Sequence, residues 1–135
     1  MKTVRVLVLE DDLETLSVIM NVLKDLEDKL LKSDERRDVA VTVFSEYTQA
    51  EDYLNKLEES KFDVVLLDRD CKLGGSFHVL NLDKFGKDKI IGISSVPEYN
   101  EILQRSGVLR TITKEYSNLE LFAKRLVDVI QITLR

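Results

Sequence analysis

The sequence is poor in the residues that build disulfides, rigid turns and membrane spans. Among 135 residues it has one cysteine, one proline, five glycines and no tryptophan. A single cysteine excludes an intramolecular disulfide and favours a reducing compartment. No apolar run approaches the ~20 residues of a membrane span, and the first residues include too short an apolar stretch for a signal peptide. We therefore expect a cytoplasmic protein that does not enter a membrane.

The sequence also lacks a basic tract, and its net charge is −5. Proteins that bind nucleic acids present clustered Lys and Arg, so direct nucleic-acid binding is not expected. Apolar residues make up 44% of the chain and charged residues 33%, which is typical of a folded globular protein. The length suits one domain over residues 1–135, with proteins or small ions as partners.

Short apolar runs and segments with helical spacing alternate along the chain. Runs rich in Val, Ile and Leu predict parallel strands covered on both faces: Val4–Leu9, Val39–Val43, Phe62–Leu67, Lys89–Ile93 and Val108–Ile112. Helical spacing predicts helices over Leu13–Leu31, Glu46–Glu59, Ser76–Phe85, Pro97–Arg105 and a last segment capped by Ser117. This alternation predicts an α/β fold: a five-stranded parallel sheet of flavodoxin-like order 2-1-3-4-5, with helices on both faces.

Polar residues stand directly after four of the predicted strands. The first strand is followed by Glu10, Asp11 and Asp12, the third by Asp68, the fourth by Ser94 and the fifth by Lys114. Ligands of such sheets bind beyond the carboxyl ends of the strands, so we expect these groups to converge. Taken singly, each has a simpler interpretation, because acidic residues also stabilise helix starts. We assign Asp12 to that structural role.

The converging residue types suit phosphoryl chemistry. Clustered carboxylates repel one another unless a hard cation neutralises them, and Mg²⁺ prefers carboxylate and phosphate oxygens. An aspartate can attack phosphorus and form an acyl phosphate. The ammonium of Lys114 and the hydroxyl of Ser94 would stabilise the phosphoryl oxygens. The pattern therefore predicts phosphorylation of Asp68.

Four motifs in register resemble the receiver domains of bacterial response regulators. They are the first strand with its acidic cluster, the strand before Asp68, the strand that ends in two serines, and the strand that ends in lysine: Val6–Asp12, Asp63–Asp68, Ile90–Ser95 and Ile112–Lys114. The resemblance covers essentially the whole chain. It implies a two-component signalling protein, a phosphoprotein that takes part in signal transduction or a phosphorelay.

The resemblance also implies a role for each site residue. Asp68 would be the phosphoacceptor, and Glu10 and Asp11 would form the acidic pair at the Mg²⁺ ion. The backbone carbonyl of Asp70 would be a further Mg²⁺ ligand, and its side chain would tune dephosphorylation. Ser94 would be the hydroxyl that moves onto the phosphoryl group, and Lys114 would pair with that group.

A histidine kinase or a histidine phosphotransfer protein would supply the phosphoryl group, and phosphorylation would change the surface formed by the fourth helix, fifth strand and fifth helix. A phosphorylation-dependent homodimer is compatible with the resemblance. Enzymatic activity is not expected beyond slow autophosphorylation from small donors and autodephosphorylation. The sequence does not indicate the downstream protein target.

Three positions depart from the family pattern. Glu115 follows Lys114 where a proline is usual, Thr111 stands where an aromatic side chain is usual, and Lys72 replaces a proline after the phosphoacceptor. None of these changes removes the phosphorylation chemistry. They do concern the path by which phosphorylation reaches the surface, since the family usually couples its Ser or Thr to that aromatic residue.

Two alternatives stay open. The Asp68-Arg69-Asp70 segment resembles the first motif of haloacid-dehalogenase-like phosphatases, in which Asp68 would be the nucleophile and Asp70 the general acid and base. That superfamily carries its acidic pair after the lysine, where Asp128 is the lone candidate. The other alternative is a degenerate pseudo-receiver that acts as a protein-interaction module.

Overall fold

Strands and helices alternate throughout the computed structural model, which describes residues 2–57, 61–68 and 82–135. The strands are β1 (Lys2–Leu9), β2 (Arg37–Phe44), β3 (Val64–Leu67), β4 (Ile90–Gly92) and β5 (Arg110–Thr111). The helices are α1 (Leu13–Lys32), α2 (Tyr47–Asn55), α3 (Leu82–Phe85), α4 (Pro97–Arg105) and α5 (Leu119–Thr133), and a 3₁₀ turn (Tyr116–Asn118) precedes α5.

All strand pairings are parallel, and the strand order is β2-β1-β3-β4-β5. The predicted order 2-1-3-4-5 is therefore confirmed. Consecutive strands β1 and β2 are neighbours, and the chain then crosses to the other side of β1 to add β3, β4 and β5. The order reverses beside β1, so the carboxyl ends of β1 and β3 flank the point at which such sheets bind ligands.

Helices cover both faces of the sheet, as predicted. Side chains alternate along β1, so that Val6 and Val8 pack with α1 and α5 whereas Leu7 and Leu9 pack with α2 and α4. The first core includes Ile19 of α1, and the second includes Leu103 of α4. Burial on both faces explains why the central strands β3 and β4 read as continuous apolar runs, whereas the edge strand β2 leaves Val41 and Val43 exposed.

The fifth strand is shorter than the predicted Val108–Ile112. Residues 106–108 form the turn that caps α4, in which Val108 N–H donates to the carbonyl of Leu103 at 3.1 Å. Gly107 has φ +103°, a left-handed conformation that glycine adopts readily after a helix. A Cβ atom at this position would also lie 2.8 Å from Cδ of Lys87.

Several helix boundaries differ from the prediction. The last helix is capped by Asn118 rather than Ser117, because the 3₁₀ turn moves its start; Asn118 Oδ1 accepts from Leu121 N–H at 3.1 Å. Helix α2 ends at Asn55, before the predicted Glu59. Of the predicted Ser76–Phe85 helix, only Leu82–Phe85 falls in the described residues.

No helix within the described ranges is long and apolar enough to cross a membrane.

Candidate functional site

Backbone hydrogen bonds place the site residues at the carboxyl edge of the sheet. Asp68 N–H donates to Leu9 C=O at 2.9 Å, and Lys114 N–H donates to Ser94 C=O at 3.1 Å. Glu10 N–H is bound in the same way to the next strand, at 3.2 Å from Phe44 C=O. The sheet ladders thus continue one or more residues past the strands and bring these side chains to one place.

Lys114 forms buried ion pairs with two of the predicted carboxylates. Its Nζ lies 2.8 Å from Oε1 and 3.0 Å from Oε2 of Glu10, and 3.5 Å from Oδ2 of Asp68. The side chains of Lys114 and Glu10 are 1% and 0% exposed, and that of Asp68 is 8% exposed. A short ion pair in such surroundings is screened little by solvent, so Lys114 compensates negative charge on Glu10 and Asp68.

Three carboxylates form a cluster that could hold a metal ion. One oxygen from each of Glu10, Asp11 and Asp68 lies within 4.8 Å of the others. Asp11 is half-buried, so the cluster has one more accessible member beside two enclosed ones. Hard oxygen donors at this spacing fit Mg²⁺. The donor set therefore agrees with the predicted ligands on the part of the chain that the structure describes.

The pKa values of the site reflect its burial. Burial raises the pKa of Glu10 to about 9, and the hydrogen bond and negative charge of Asp68 add to the effect, although Lys114 opposes it. Burial also raises the pKa of Asp68. Burial alone would lower the pKa of Lys114, but the carboxylates of Glu10 and Asp68 outweigh it and the pKa lies above its ordinary value. Glu10 and Asp68 therefore hold a proton more readily than ordinary carboxylates, even beside Lys114.

Ser94 is buried at the end of β4, next to the site. Its Oγ accepts from Val96 N–H at 3.1 Å, and a hydroxyl that accepts in this way can still donate its own hydrogen. Its backbone is held by Asn100 of α4, whose Oδ1 accepts from Ser94 N–H at 3.2 Å. Asn100 does not follow a strand, so its role was not predicted from the sequence. The available signal was its position three residues before the core residue Leu103, on the inward face of α4.

Asp12 has the structural role that we predicted. Its Oδ2 accepts from Thr15 N–H at 2.9 Å and from the Thr15 hydroxyl at 2.6 Å, so it caps α1.

Two of the three departures from the family pattern fall among the described residues: Thr111 lies on β5, and Glu115 follows Lys114. Thr111 is half-buried and its hydroxyl accepts from Gln104 Nε2 at 2.7 Å. Glu115 is exposed, and the next residue, Tyr116, places its ring centroid 5.6 Å from Lys114 Nζ. At that distance the ring can interact with the ammonium as a cation–π partner.

Residues 69–81, which follow Asp68, lie outside the described residues. This stretch includes Lys72 and Asp70. The predictions that the Asp70 carbonyl binds Mg²⁺ and that its side chain influences dephosphorylation therefore stay predictions. Asp128, the acidic candidate of the phosphatase alternative, is exposed on α5 and lines a groove with Thr111 and Arg125. It is absent from the acidic cluster found among the described residues.

Solved structures match this fold over nearly the entire chain. A bacteriophytochrome response regulator, AtBRR, is 19% identical with a TM-score of 0.51, over 96% of this chain and 95% of that chain. The chain has a receiver fold. An adenylate cyclase from Rhodopirellula baltica is 15% identical with a TM-score of 0.53, over 95% of this chain and 90% of that chain. No protein-family model and no curated protein matches the sequence.

Proposed function

We propose that this receiver domain accepts a phosphoryl group on Asp68, with Mg²⁺ bound beside it, and signals through the resulting change in its surface. The arrangement of Asp68 carries the proposal. Its carboxylate lies 3.5 Å from Lys114 Nζ and within the cluster formed by Glu10 and Asp11. A carboxylate that could act as a nucleophile, an acidic cluster suited to a cation and a fixed positive charge therefore support this proposal at the carboxyl edge of the sheet.

The chemistry follows from these groups. A carboxylate oxygen of Asp68 attacks the phosphorus of a phosphohistidine; the new O–P bond forms as the P–N bond breaks, and the electron pair returns to the imidazole nitrogen. Glu10, Asp11 and Asp68 would hold Mg²⁺, which supplies positive charge to the phosphoryl oxygens when bound. Lys114 and Ser94 stabilise the same oxygens by charge and hydrogen bonding.

Hydrolysis of the acyl phosphate resets the domain. A water molecule attacks phosphorus, the O–P bond to Asp68 breaks, and inorganic phosphate leaves. We also propose that Asp70 modulates the rate of this hydrolysis, so Asp70→Asn should change the lifetime of the phosphoryl group. Apart from this reset and slow reaction with small donors, we propose no enzymatic activity.

The proposal includes partners that the resemblance implies. A histidine kinase or histidine phosphotransfer protein would donate the phosphoryl group, and a phosphorylation-dependent homodimer is part of the same hypothesis. A cytoplasmic location also remains a prediction from the sequence.

The other two functions have less support. The phosphatase needs a second acidic site after the lysine, and exposed Asp128 faces a groove beside β5 rather than joining the acidic cluster. A degenerate pseudo-receiver would be expected to lose a site charge, but Lys114 keeps its ion pairs with both Glu10 and Asp68.

The test is phosphorylation by acetyl phosphate or phosphoramidate with Mg²⁺, followed by intact mass. We expect a hydroxylamine-labile gain of about 80 Da, the mass of one phosphoryl group, that EDTA and Asp68→Asn abolish. The matched control is Asp63→Asn at the opposite end of β3, where Asp63 Oδ2 accepts from Arg5 N–H. That variant should be phosphorylated like the wild type.

Each other outcome selects an alternative. A wild type that gains no mass and binds no Mg²⁺ would be a pseudo-receiver. Rapid turnover of a phosphomonoester, lost in Asp68→Asn, would instead establish the phosphatase.

A further inference from the structure

A buried amide on α4 clamps the backbone of Ser94. Asn100 is 3% exposed. Its Oδ1 accepts from Ser94 N–H at 3.2 Å, and its Nδ2 donates to Ser94 C=O at 3.3 Å. Both polar groups of one peptide residue thus pair with one side-chain amide, as they would with a neighbouring strand. Ser94 cannot turn its backbone without moving Asn100 or leaving buried groups unpaired, which is costly.

The same amide reaches β5. Asn100 Nδ2 also lies 3.2 Å from Ile112 C=O and 3.3 Å from Thr113 Oγ1. Ser94 C=O in turn accepts from the backbone N–H of Lys114. One side chain therefore joins the end of β4, the end of β5 and the first turns of α4, and it does so next to the predicted phosphoryl site.

A second amide repeats this connection one helical turn later. Gln104 Nε2 donates to Thr111 Oγ1 at 2.7 Å. Asn100 and Gln104 are four residues apart on α4. Thr111 lies on β5 and Thr113 two residues further along, where pairing with the β4 segment continues, so each pair shares a face. We call these two amide–hydroxyl contacts the α4–β5 ladder. Asn100–Thr113 is its inner rung, and Gln104–Thr111 is its outer rung.

A glycine beneath the ladder makes room for it. A Cβ atom at Gly92 of β4 would lie 3.1 Å from Asn100 Oδ1, 3.1 Å from Thr111 Cγ2 and 2.7 Å from Leu103 Cδ1. Asn100 of one contact and Thr111 of the other therefore pack so close to the β4 backbone that a side chain at position 92 would crowd both. The close packing makes it hard for α4 to shift without its contacts to β5 changing.

We propose that Asn100 is a positioning residue for Ser94, and that the α4–β5 ladder carries a movement of Ser94 to the surface of α4 and β5. This inference rests on the proposed phosphorylation of Asp68. Thr111 takes part through its hydroxyl, at the position where the sequence lacks an aromatic residue. Polar contacts lead from the Ser94 backbone through Asn100 to Thr113, and the backbones of α4 and β5 connect this contact to Gln104 and Thr111.

The outer rung gives the cleaner test, because Gln104 is exposed and its loss does not threaten folding. Wild type, Gln104→Met and Thr111→Val are phosphorylated with acetyl phosphate and Mg²⁺, and amide signals are followed by ¹H–¹⁵N NMR. We expect both variants to be phosphorylated at rates within about twofold of wild type, since neither touches Asp68. The signal changes along α4 and β5 should fall to less than half.

Ser106→Ala is the matched control on the same helix. Ser106 Oγ donates to Ile102 C=O at 3.0 Å, so this variant also removes one exposed hydrogen bond from α4 but none to β5. It should transmit the signal changes as the wild type does. If Gln104→Met and Thr111→Val also do so, the relay is overturned while the phosphorylation of Asp68 stands.

The inner rung is tested by Asn100→Ser, with folding checked by circular dichroism. Before any phosphate is added, exchange of the Ser94 and Lys114 amide hydrogens should accelerate about tenfold, because local opening becomes easier, with α1 amides unchanged. Unchanged exchange would overturn the positioning role. If the wild type takes no phosphate at all, the proposed function and the relay both fail, and the exchange result alone decides whether Asn100 holds Ser94.

Discussion

The face of the sheet under α1 and α5 and the carboxyl edge of the sheet are both buried, but they are built from opposite kinds of residue. The first is apolar and includes Ile19 of α1 and Phe122 of α5. The second contains buried charge and hydrogen-bonding groups: Glu10, Asp68, Ser94, Asn100 and Lys114. Among the buried polar residues that the structure describes, only Thr15 is missing from this group, and it belongs to the cap of α1.

The two regions contribute differently to the free energy of unfolding. Apolar burial stabilises in proportion to the area removed from water and needs no exact partner. Buried charges are costly unless each is paired, so the carboxyl edge is stable only as a complete set. The fold therefore depends mainly on the first region, whereas the second is where the proposed cation and phosphoryl group would act.

Loss of the aromatic ring from the apolar face should have the largest effect. Phe122 is 2% exposed, and Phe122→Ala should lower the free energy of unfolding by about 3–5 kcal/mol, measured by urea denaturation. The exposed Leu109 provides the control, and Leu109→Ala should change stability by less than about 0.5 kcal/mol. A loss below about 1 kcal/mol for Phe122→Ala would show that this face is not the main source of stability.

Removal of the buried cation should be almost as costly in metal-free protein. Lys114→Met leaves Glu10 and Asp68 without their positive partner, and in EDTA we expect a loss of about 3 kcal/mol in the free energy of unfolding. Mg²⁺ should recover part of this loss, because a cation at the cluster neutralises the same carboxylates.

Lys24→Met is the control for this variant, since Lys24 forms an exposed pair with Asp28 at 3.8 Å. Such surface pairs contribute about 0–1 kcal/mol. Equal losses in the two variants would contradict the special cost of charge at the carboxyl edge.

The pH dependence of stability should also separate the two regions. Glu10 has its pKa raised from 4.5 to about 9, so the folded state binds more protons than the unfolded state between these values. In EDTA its contribution is fully present below pH 4.5 and is lost as the pH rises through about 9. The raised pKa of Asp68 acts in the same direction.

We expect the metal-free protein to lose on the order of a few kcal/mol over this range, measured by urea denaturation at several pH values. Glu10→Gln should flatten the profile, because its amide does not titrate. Phe122→Ala should lower the profile without changing its slope. A slope unchanged by Glu10→Gln would exclude Glu10 as its source.

The smallest predicted effect lies at the start of α5, where the chain passes from the site to the apolar face. Asn118→Ala removes the N-cap and should cost about 1 kcal/mol in thermal or urea unfolding. Ser117→Ala should be neutral, since Ser117 lies within the 3₁₀ turn and is exposed. The reverse result would restore Ser117 as the cap.

Most of the fold could be predicted because its signals are local. The central strands β1, β3 and β4 are marked by apolar runs, and α1 shows its stripe and its Asp12 cap within a few residues. Boundaries were less predictable where two elements compete for the same residues. Val108 N–H donates to the carbonyl of Leu103 in the turn after α4, so β5 begins later than its apolar pattern indicates. The 3₁₀ turn moves the cap of α5 by one residue.

The candidate site was predictable in its members but not in its pairing. Glu10, Asp11, Asp68, Ser94 and Lys114 stand out because each follows a strand. Their positions do not reveal that Lys114 binds both oxygens of Glu10 more closely than it approaches Asp68. Asn100 shows the same limit, since its partners lie just past the ends of β4 and β5, up to 13 residues away.

The sequence by itself determined the order of the elements, the chemical types at the strand ends and the apolar faces, because these depend on residues close together in the chain. Only the tertiary structure decided which charges compensate one another and which buried amide joins α4 to β5. Those contacts depend on parallel strands that bring distant residues to one edge, where burial makes each pairing matter more than it would in water.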